Sequence, residues 1–360
     1  MADRKIGKEV VRDRRGGTSS GGQRPAPAGN GKRPHSLRYN TQRPDVDVTQ
    51  EYLFSLRLLE SDRELVKYLG EVGYATTEQV SRMYYAKHKD TLASARQRLT
   101  QLWEWHVFDR TPCNGLEKYG IAQQLVYLLG KAGNLMLDEA EDEGDKRRKP
   151  HGTALMPHDL LLGELLIGLS AVGRKTGWGY VFYGERGALV QFGHNEKRIK
   201  LRPDGLLFMN HNAVGLEIPL FVEMDTSMRE TDHFRGKAAQ YNAYWASKVW
   251  TDHFEKFPHV AVVVCGNALD DAAKRQRLAD ARIQRIIAKV KGEGKWTLGY
   301  NWLFARLDQA KLGHFSMLTA KSPELVEFDL FYLDQAKLDH FNMLMAKPLE
   351  LMELELFGAG

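Results

Sequence analysis

Residues 201–225 read LRPDGLLFMNHNAVGLEIPLFVEMD, and this stretch decides the fold that we predict for the second half of the chain. Two apolar runs, residues 206–209 and 219–225, are separated by turn-forming residues 210–212. An antiparallel hairpin with its midpoint near residue 214 places Asp204, at the start of one strand, opposite residues 223–225 at the end of the other. Glu223 and Asp225 are two residues apart and therefore project from one face of the sheet. The sequence thus predicts that Asp204, Glu223 and Asp225 converge.

Such a carboxylate cluster predicts a site for a divalent cation. Carboxylates held close together repel one another, and a hard cation with oxygen ligands, Mg²⁺ or Mn²⁺, relieves that repulsion. Glu164, on a helix expected over residues 157–172, is a further candidate ligand. On a phosphodiester, the ion could ionise a water molecule and stabilise the leaving oxygen. The alternative is structural, because Pro-Asp-Gly is a common turn and Glu223 with Asp225 suits a solvated strand end beside Arg202 or Arg229.

A helix expected over residues 232–245 adds a cation to this cluster. Lys237, Gln240, Tyr241 and Tyr244 occupy one helical face, at positions i, i+3, i+4 and i+7. Lys237 is predicted to neutralise charge that develops on phosphorus. His158 and Asp159, at the start of the helix over residues 157–172, either cap that helix or contact phosphate. With a buried strand over residues 260–265, the element order is α, β, β, β, α, β, a mixed α/β (α+β) fold.

The region before this domain, residues 50–135, has the pattern of a small DNA-binding unit. Apolar spacing predicts a first helix from residue 51 to 69, a short helix capped by Thr76 or Thr77, and a third helix over residues 90–104. Two extended stretches, residues 107–110 and 119–129, would form a β-hairpin after them. This order resembles a winged helix-turn-helix. The alternative is a helical packing domain with a polar outer face.

The third helix is predicted to contact the groove of double-stranded DNA. Its apolar stripe leaves polar and basic side chains on the opposite face, and two lysines precede it. The predicted DNA-contacting residues are Ser94, Gln97, Arg98, Gln101, Lys87 and Lys89.

Composition indicates how the rest of the chain is organised. Residues 1–45 are rich in Gly, Pro, Ser, Arg and Lys, which predicts a disordered basic tail that either contacts phosphates or only solubilises the protein. Charged residues 136–152 predict a linker, followed by the α/β domain over residues 153–300. The net charge is +5, and the two cysteines, Cys113 and Cys265, fit a reducing cytoplasm and a metal held by oxygen. No stretch is apolar enough to span a bilayer, so no membrane partner is expected.

The last segment, residues 301–360, contains an internal duplication. LDQAKLGHFSML at residues 307–318 recurs as LDQAKLDHFNML at residues 333–344, an offset of 26 residues. Each copy has the pattern of an amphipathic helix interrupted near Pro323 or Pro348. Because two copies are too few for a solenoid, this helical segment is either a surface for a second copy or another protein, or a duplication without function.

Across roughly residues 50–280 the chain resembles the replication-relaxation family of bacteria and their plasmids. The resemblance is carried by His158-Asp-Leu, Pro203-Asp-Gly, Val222-Glu-Met-Asp-Thr-Ser, Lys237 with Tyr241, and the strand over residues 260–265. That family looks related to the PD-(D/E)XK nucleases and to plasmid relaxases built on the nuclease core. The resemblance therefore implies a winged helix followed by a nuclease-like αβββαβ domain that nicks or cleaves DNA during plasmid replication or mobilisation.

The resemblance also implies roles for individual residues. Asp204 takes the place of the first motif carboxylate and Glu223 that of the second, while Asp225 stands where the nuclease pattern has lysine. Lys237 would supply that cation from the helix, and Gln240 with Tyr244 resembles the Gln-x-x-x-Tyr of RecB-like nucleases. The leading hypothesis is a Mg²⁺- or Mn²⁺-dependent nickase or endonuclease. The alternative is a non-catalytic DNA-binding regulator of replication or copy number on an inactive nuclease fold.

Overall fold

The computed structural model of the protein confirms the mixed α/β class expected from the sequence. The structure describes residues 43–85, 90–113, 116–122, 124–140, 155–195, 197–211, 215–226, 230–292, 302–311, 314–318 and 326–329. In these ranges, ten α-helices accompany sheets of three, seven and two strands. The described residues from Pro44 onward belong to one compact unit. None of the described helices is long and apolar enough to cross a membrane.

The N-terminal part of this unit consists of helices followed by a β-hairpin, in the order that the sequence predicted. Its elements are α1 (Gln50–Ser55), α2 (Glu60–Val72), β1 (Ala75–Thr76), α3 (Thr77–Tyr84), α4 (Thr91–Glu104), β2 (Phe108–Cys113), β3 (Gln124–Leu129) and α5 (Lys131–Ala140). Strand β3 lies between β1 and β2 in an antiparallel sheet.

The prediction of a single first helix was wrong, because this region forms two helices. Thr49 caps α1, and its hydroxyl accepts a hydrogen bond from the amide of Tyr52 at 3.2 Å. Helix α2 starts anew after Leu59, whose amide donates to Asp62 Oδ2 at 2.6 Å. Leu59, an apolar residue inside the expected helix, is exposed. Apolar spacing indicates which faces are buried and does not locate the caps that end a helix.

The predicted cap of the next helix is confirmed, and α4 begins where the third helix was expected. Thr76 and Gln79 form a capping box, in which the Thr76 hydroxyl accepts from the Gln79 amide at 3.1 Å and Gln79 Oε1 accepts from the Thr76 amide at 2.9 Å. Asp90 caps α4 by accepting from the amide of Ala93 at 3.0 Å. The buried faces of these elements form one core that includes Leu65, Val66, Leu69, Val80, Leu99, Leu102, Phe108 and Tyr127.

The second part of the unit is built on the seven-stranded sheet. Its elements are α6 (Met156–Thr176), β4 (Trp178–Gly184), α7 (Glu185–Ala188), β5 (Val190–His194), β6 (Lys197–Leu201), β7 (Gly205–His211), β8 (Leu216–Asp225), α8 (His233–Ser247), β9 (His259–Val264), α9 (Ala272–Gly292), β10 (Trp302–Arg306), α10 (Leu307–Ala310), β11 (His314–Leu318) and β12 (Val326–Asp329). The sheet order is β12-β11-β10-β9-β8-β7-β4, with β8, β9 and β10 parallel. The predicted α, β, β, β, α, β order is present as α6, β4, β7, β8, α8 and β9, and the separate β5–β6 hairpin is inserted after β4.

The β7–β8 hairpin has the predicted register. Gly205 pairs with Val222 and His211 pairs with Leu216, so the two strands are centred between residues 213 and 214. Helix α6 packs on one sheet face through Leu162 and Leu166, against Val222 among others. Helices α8 and α9 pack on the other face, around Phe221. Residues 221, 223 and 225 therefore face α8 and α9.

The N-terminal helices contact the sheet-containing part directly. Gln79 Nε2, on α3, donates to the carbonyl of Leu160 on α6 at 2.7 Å. The amide of Gly184, at the end of β4, donates to Glu71 Oε2 on α2 at 2.6 Å. Gly73 ends α2 with a φ of 92°, and a Cβ there would lie 2.7 Å from Asp159 Oδ2. Glycine at position 73 therefore permits a close approach of these two parts.

Several elements of the C-terminal half differ from the sequence predictions. Helix α9 was not predicted, and β10 joins the main sheet beside β9 in a region expected to be helical. The first copy of the duplication, expected to be one amphipathic helix, is the short α10 followed by β11. The second copy lies outside the described residues, as do the basic tail up to residue 42 and residues 141–152 of the expected linker. Residues 136–140, also assigned to that linker, belong to α5.

Candidate active site

Asp204 is held against the end of β8 by two backbone contacts. Its amide donates to the carbonyl of Val222 at 3.0 Å, and its Oδ2 accepts from the amide of Met224 at 2.7 Å. The next residue must be small, because a Cβ on Gly205 would lie 2.3 Å from the Phe182 ring. Pro203-Asp-Gly is therefore more than a turn signal here, since it presents the Asp204 carboxylate beside Glu223.

Glu223 is buried and anchored by α8. Its Oε1 accepts hydrogen bonds from the Tyr241 hydroxyl at 2.7 Å and from Lys237 Nζ at 3.0 Å. Lys237 and Tyr241 are four residues apart, so both reach the same carboxylate from one helical face. Burial, together with the nearby charge of Asp204, raises the pKa of Glu223 to about 7 despite the opposing effects of Lys237 and Tyr241.

Lys237 joins Glu223 to the backbone just after strand β6. Its Nζ donates to the carbonyl of Arg202 as well as to Glu223. Burial by itself would lower the pKa of Lys237, but the charges of Glu223 and Asp204 outweigh burial and raise that pKa above its ordinary value. The amine is therefore a charged ammonium at neutral pH. It occupies the position that the sequence hypothesis gave it, beside the second carboxylate.

His158, at the start of α6, faces Asp204 from the other side. Its Nε2 lies 3.0 Å from Asp204 Oδ2, and its Nδ1 lies 3.0 Å from Asp159 Oδ1. Burial would lower the pKa of His158, but Asp204 and Asp159 outweigh it and raise the pKa to about 10. The pKa of Asp204 is correspondingly lowered, because His158, Lys237 and the Met224 amide outweigh its burial. The sequence had suggested helix capping or phosphate contact for His158, and its contact with Asp204 was not foreseen.

Asp225 reaches the same pocket, but a residue from α9 holds it. Arg282 Nε donates to Asp225 Oδ2 at 2.8 Å and Arg282 Nη2 donates to Oδ1 at 3.1 Å. Asp225 and Arg282 are both buried. Both carboxylate oxygens of Asp225 thus accept from one guanidinium, an arrangement that favours a structural role over metal ligation. Sequence reasoning missed Arg282 because helix α9 was not predicted.

These side chains line a cavity of about 330 Å³. Asp204, Glu223, Asp225, Lys237 and His158 all contribute to its wall. Further lining residues include Glu71 and Val72 of α2, Glu185 of α7, Arg202 after β6, and Thr226 after β8. The wall of the cavity therefore carries both signs of charge beside apolar side chains such as Leu162 and Phe234.

Three residues named as site candidates lie elsewhere. Glu164 accepts from Arg82 Nη2, from Gln79 Nε2 at 3.1 Å and from Lys311 Nζ at 2.9 Å, in a second cavity of about 370 Å³. Gln240 is half-buried and does not line the carboxylate cavity. The Tyr244 ring packs against Phe192 in the apolar core. On α8 it is therefore Tyr241, and not Gln240 or Tyr244, that joins Lys237 at Glu223.

Two carboxylates of the cavity suit a divalent cation. Within the described part of the chain, Asp204 Oδ1 and Glu223 Oε2 accept no hydrogen bond. Neither oxygen is fully buried, so both can be reached from the cavity. Mg²⁺ commonly takes one or two protein carboxylates and completes its shell with water and phosphate oxygens. No group of three or more His, Cys, Asp or Glu side chains within the described ranges is placed to hold a metal ion. The fit is therefore to a cation held by Asp204 and Glu223 alone.

The predicted DNA-contacting face of α4 is rotated from its expected position. Arg98 points inward, where its Nε donates to Asp62 Oδ1 at 3.0 Å and its Nη1 donates to Gln101. Ser94 and Gln101 are half-buried, and Gln97 is exposed. The exposed residues of the helix are Ala93, Arg96, Gln97, Thr100 and Glu104. Lys87 and Lys89 lie outside the described residues.

Fold and cavity together define a mixed α/β protein in which two carboxylates and an ammonium meet at the end of a central β-hairpin. The family model for replication-relaxation proteins matches residues 66–260, which is more than half of the chain. The chain therefore belongs to the replication-relaxation family, and this membership suggests a role in plasmid replication or mobilisation. No curated protein and no solved structure matched the chain.

Proposed function

We propose that the protein is a metal-dependent DNA nickase or endonuclease that acts in plasmid replication or mobilisation. The observation that carries this proposal is the meeting of Asp204, Glu223 and Lys237 in one cavity, although 33 residues separate the first of them from the last. Hydrolysis of a phosphodiester needs stabilisation of negative charge and a positioned water molecule. A carboxylate pair beside an ammonium supplies the groups for both tasks.

The roles follow from the contacts in the cavity. Asp204 and Glu223 are the residues that would hold Mg²⁺ or Mn²⁺, and the bound ion would supply a Lewis acid and a water of lowered pKa. Lys237, held as an ammonium by Glu223, would stabilise charge on the phosphate that enters the cavity. The Tyr241 hydroxyl fixes the orientation of Glu223 through its 2.7 Å hydrogen bond. Tyr241 is thus a positioning residue.

Recognition of double-stranded DNA is assigned to the N-terminal part, read as a winged helix-turn-helix. Helices α3 and α4 and the β2–β3 hairpin occur in the order of that motif. Arg96, Gln97 and Thr100 lie on the exposed face of α4 and are the side chains available to a groove. Arg98, which pairs with Asp62, is removed from this set.

A second candidate function is a DNA-binding regulator of replication or copy number that does not cut. It is favoured because basic side chains of the protein itself already neutralise carboxylates of the acidic cluster. His158 Nε2 lies 3.0 Å from Asp204, and Arg282 takes both oxygens of Asp225. A cluster that is neutralised by its own side chains has less need of a metal ion than three unpaired carboxylates would have.

Nicking of supercoiled plasmid DNA in the presence of Mg²⁺ or Mn²⁺ separates the two functions. We expect the wild-type protein to convert supercoiled to open-circular or linear DNA. Asp204→Asn, Glu223→Gln and Lys237→Met should each lower the rate by about 100-fold or more while DNA binding is retained. The matched control is Glu217→Gln, which alters an exposed carboxylate on the same strand as Glu223 and should leave the rate unchanged.

Each result has a definite meaning. A wild-type protein that shifts DNA but cuts no DNA topology with either ion refutes the enzyme and leaves the regulator. Cutting that survives in both Asp204→Asn and Glu223→Gln refutes the assignment of this cavity. A protein that neither binds nor cuts DNA refutes both functions.

A further inference from the structure

The β5–β6 hairpin is a separate two-stranded sheet with one buried and one open face. Phe192 and Leu201 are buried, and the half-buried Val190 and Ile199 pack beside them. Phe192 lies with its ring centroid 5.1 Å from that of Tyr244 on α8. Because side chains alternate along a strand, the neighbours of these residues face away from the core.

The open face of this hairpin is basic. Gln191 pairs with Lys200 and Gly193 pairs with Arg198 across the two strands, and all four are exposed. Arg198 Nη2 donates to Gln191 Oε1 at 2.6 Å, which lays the guanidinium along the surface. Neither strand contains an acidic residue. Strands that only need solubility usually carry both signs of charge, so a face with one sign is suited to a polyanion.

The basic face leads directly to the carboxylate cavity. Arg202 follows β6, continues the alternation of Arg198 and Lys200, and lines the cavity. Its backbone carbonyl accepts a hydrogen bond from Lys237, the ammonium of the site. Its side chain is 56% exposed, with Nη1 3.6 Å from Glu185 Oε1. Alternate residues of a strand are about 6.6–6.8 Å apart, so Arg198 and Lys200 form a row on β6. Arg202, just after the strand, extends the basic surface to the wall of the cavity.

We infer that the open face of the β5–β6 hairpin binds the phosphate backbone of the DNA that enters the cavity, with Arg198 and Lys200 contacting phosphates outside the site of reaction. This inference rests on the proposed function, because it takes DNA as the polyanion. A row of cations that tracks a backbone gives affinity without sequence specificity. The hairpin would therefore orient a strand over Asp204 and Glu223, while the exposed face of α4 provides any sequence preference.

The test is the salt dependence of DNA binding, measured without metal ions so that no cutting occurs. A fluorescently labelled duplex of about 30 base pairs is titrated with protein at several NaCl concentrations, and log affinity is plotted against log salt. Arg198→Ser/Lys200→Ser should weaken binding and flatten the slope by about 1.8, since each lost phosphate contact lowers the magnitude of that slope by about 0.9. Arg198→Lys/Lys200→Arg, which keeps both charges, should retain the wild-type slope.

A matched control removes the same charge elsewhere. Arg277→Ser/Arg285→Ser alters two exposed arginines on α9 and should change the slope by less than half as much. Equal slopes for Arg198→Ser/Lys200→Ser and wild-type protein would overturn the inference. The inference would also be overturned if Arg277→Ser/Arg285→Ser flattened the slope as much as Arg198→Ser/Lys200→Ser does. Thermal unfolding of each variant should match wild type, because all four side chains are exposed.

The inference and the proposed function fail in different ways. If the wild type binds DNA with the expected slope change but never cuts, the enzyme is refuted and the phosphate-binding hairpin stands. If Asp204→Asn abolishes cutting while Arg198→Ser/Lys200→Ser binds and cuts as wild type does, the hairpin is refuted and the enzyme stands. Absence of any DNA binding overturns both.

Discussion

Replacing Arg282 by methionine should destabilise the protein strongly, because it removes the bidentate partner of a buried carboxylate. Asp225 is 4% exposed and Arg282 is 8% exposed, so water cannot replace the lost guanidinium. Removing one member of a buried ion pair typically costs 3–5 kcal/mol, and we expect about 3 kcal/mol because Asp225 has further interactions. Replacing both residues, as Asp225→Asn with Arg282→Met, should recover part of that loss.

Urea unfolding followed by tryptophan fluorescence measures this effect. At a slope of about 3 kcal/mol per molar, a loss of 3 kcal/mol lowers the unfolding midpoint by about 1 M. Arg285→Met is the matched control, since Arg285 is exposed on the same helix. If Arg282→Met lowers the midpoint no more than Arg285→Met does, Asp225 does not depend on Arg282, and its availability as a metal ligand would have to be reconsidered.

Three further predictions concern stability and thiol reactivity. Burial alone would raise the pKa of Glu164, but Lys311 and Arg82 outweigh burial and hold that pKa below its ordinary 4.5. The ion pairs of Glu164 therefore stabilise the protein above pH 4.5 and lose their effect as pH falls through the lowered pKa. The difference in melting temperature between wild type and Glu164→Gln should therefore shrink below pH 4.5, and a difference independent of pH would contradict this. Gly184→Ala should cost about 1–3 kcal/mol in urea unfolding, because its Cβ would lie 2.0 Å from the Glu71 carbonyl oxygen, whereas Gly193→Ala, with no atom within 4 Å, should cost much less. Cys113 and Cys265 are both buried, and burial raises both thiol pKa values, that of Cys113 to about 11, so neither should react with a thiol reagent at pH 8 until the protein is unfolded.

The central hairpin could be predicted because its signals are local. Two apolar runs, a turn between them and Pro203-Asp-Gly at one end fix a register that the structure reproduces from Gly205 to His211. The position of Asp204 beside Glu223 followed from that register. Lys237 was found in the same way, because helical spacing identifies the face on which it lies.

Residues that act through long-range contacts could not be predicted. Arg282 reaches Asp225 across 57 positions, and nothing near Arg282 marks it as a partner. Helical spacing also leaves an uncertainty of one residue to either side of a face, since neighbours differ by about 100°. For that reason Tyr241, and not the predicted Gln240, contacts Glu223. Likewise Arg96, and not the predicted Arg98, lies on the exposed face of α4. Glu164 was misplaced because its partners, Arg82 and Lys311, come from separate parts of the chain.

The contact between the N-terminal helices and the sheet limits how modular this protein is. Glu71 and Val72 of α2 form part of the cavity wall, and Glu71 Oε2 also accepts from the amide of Gly184. A chimera that joined residues 153–300 to an unrelated N-terminal part would lack one side of its cavity. The two parts are therefore expected to change together in evolution. Under the proposed function, DNA specificity would be better altered by substitutions on the exposed face of α4 than by exchanging the whole N-terminal part.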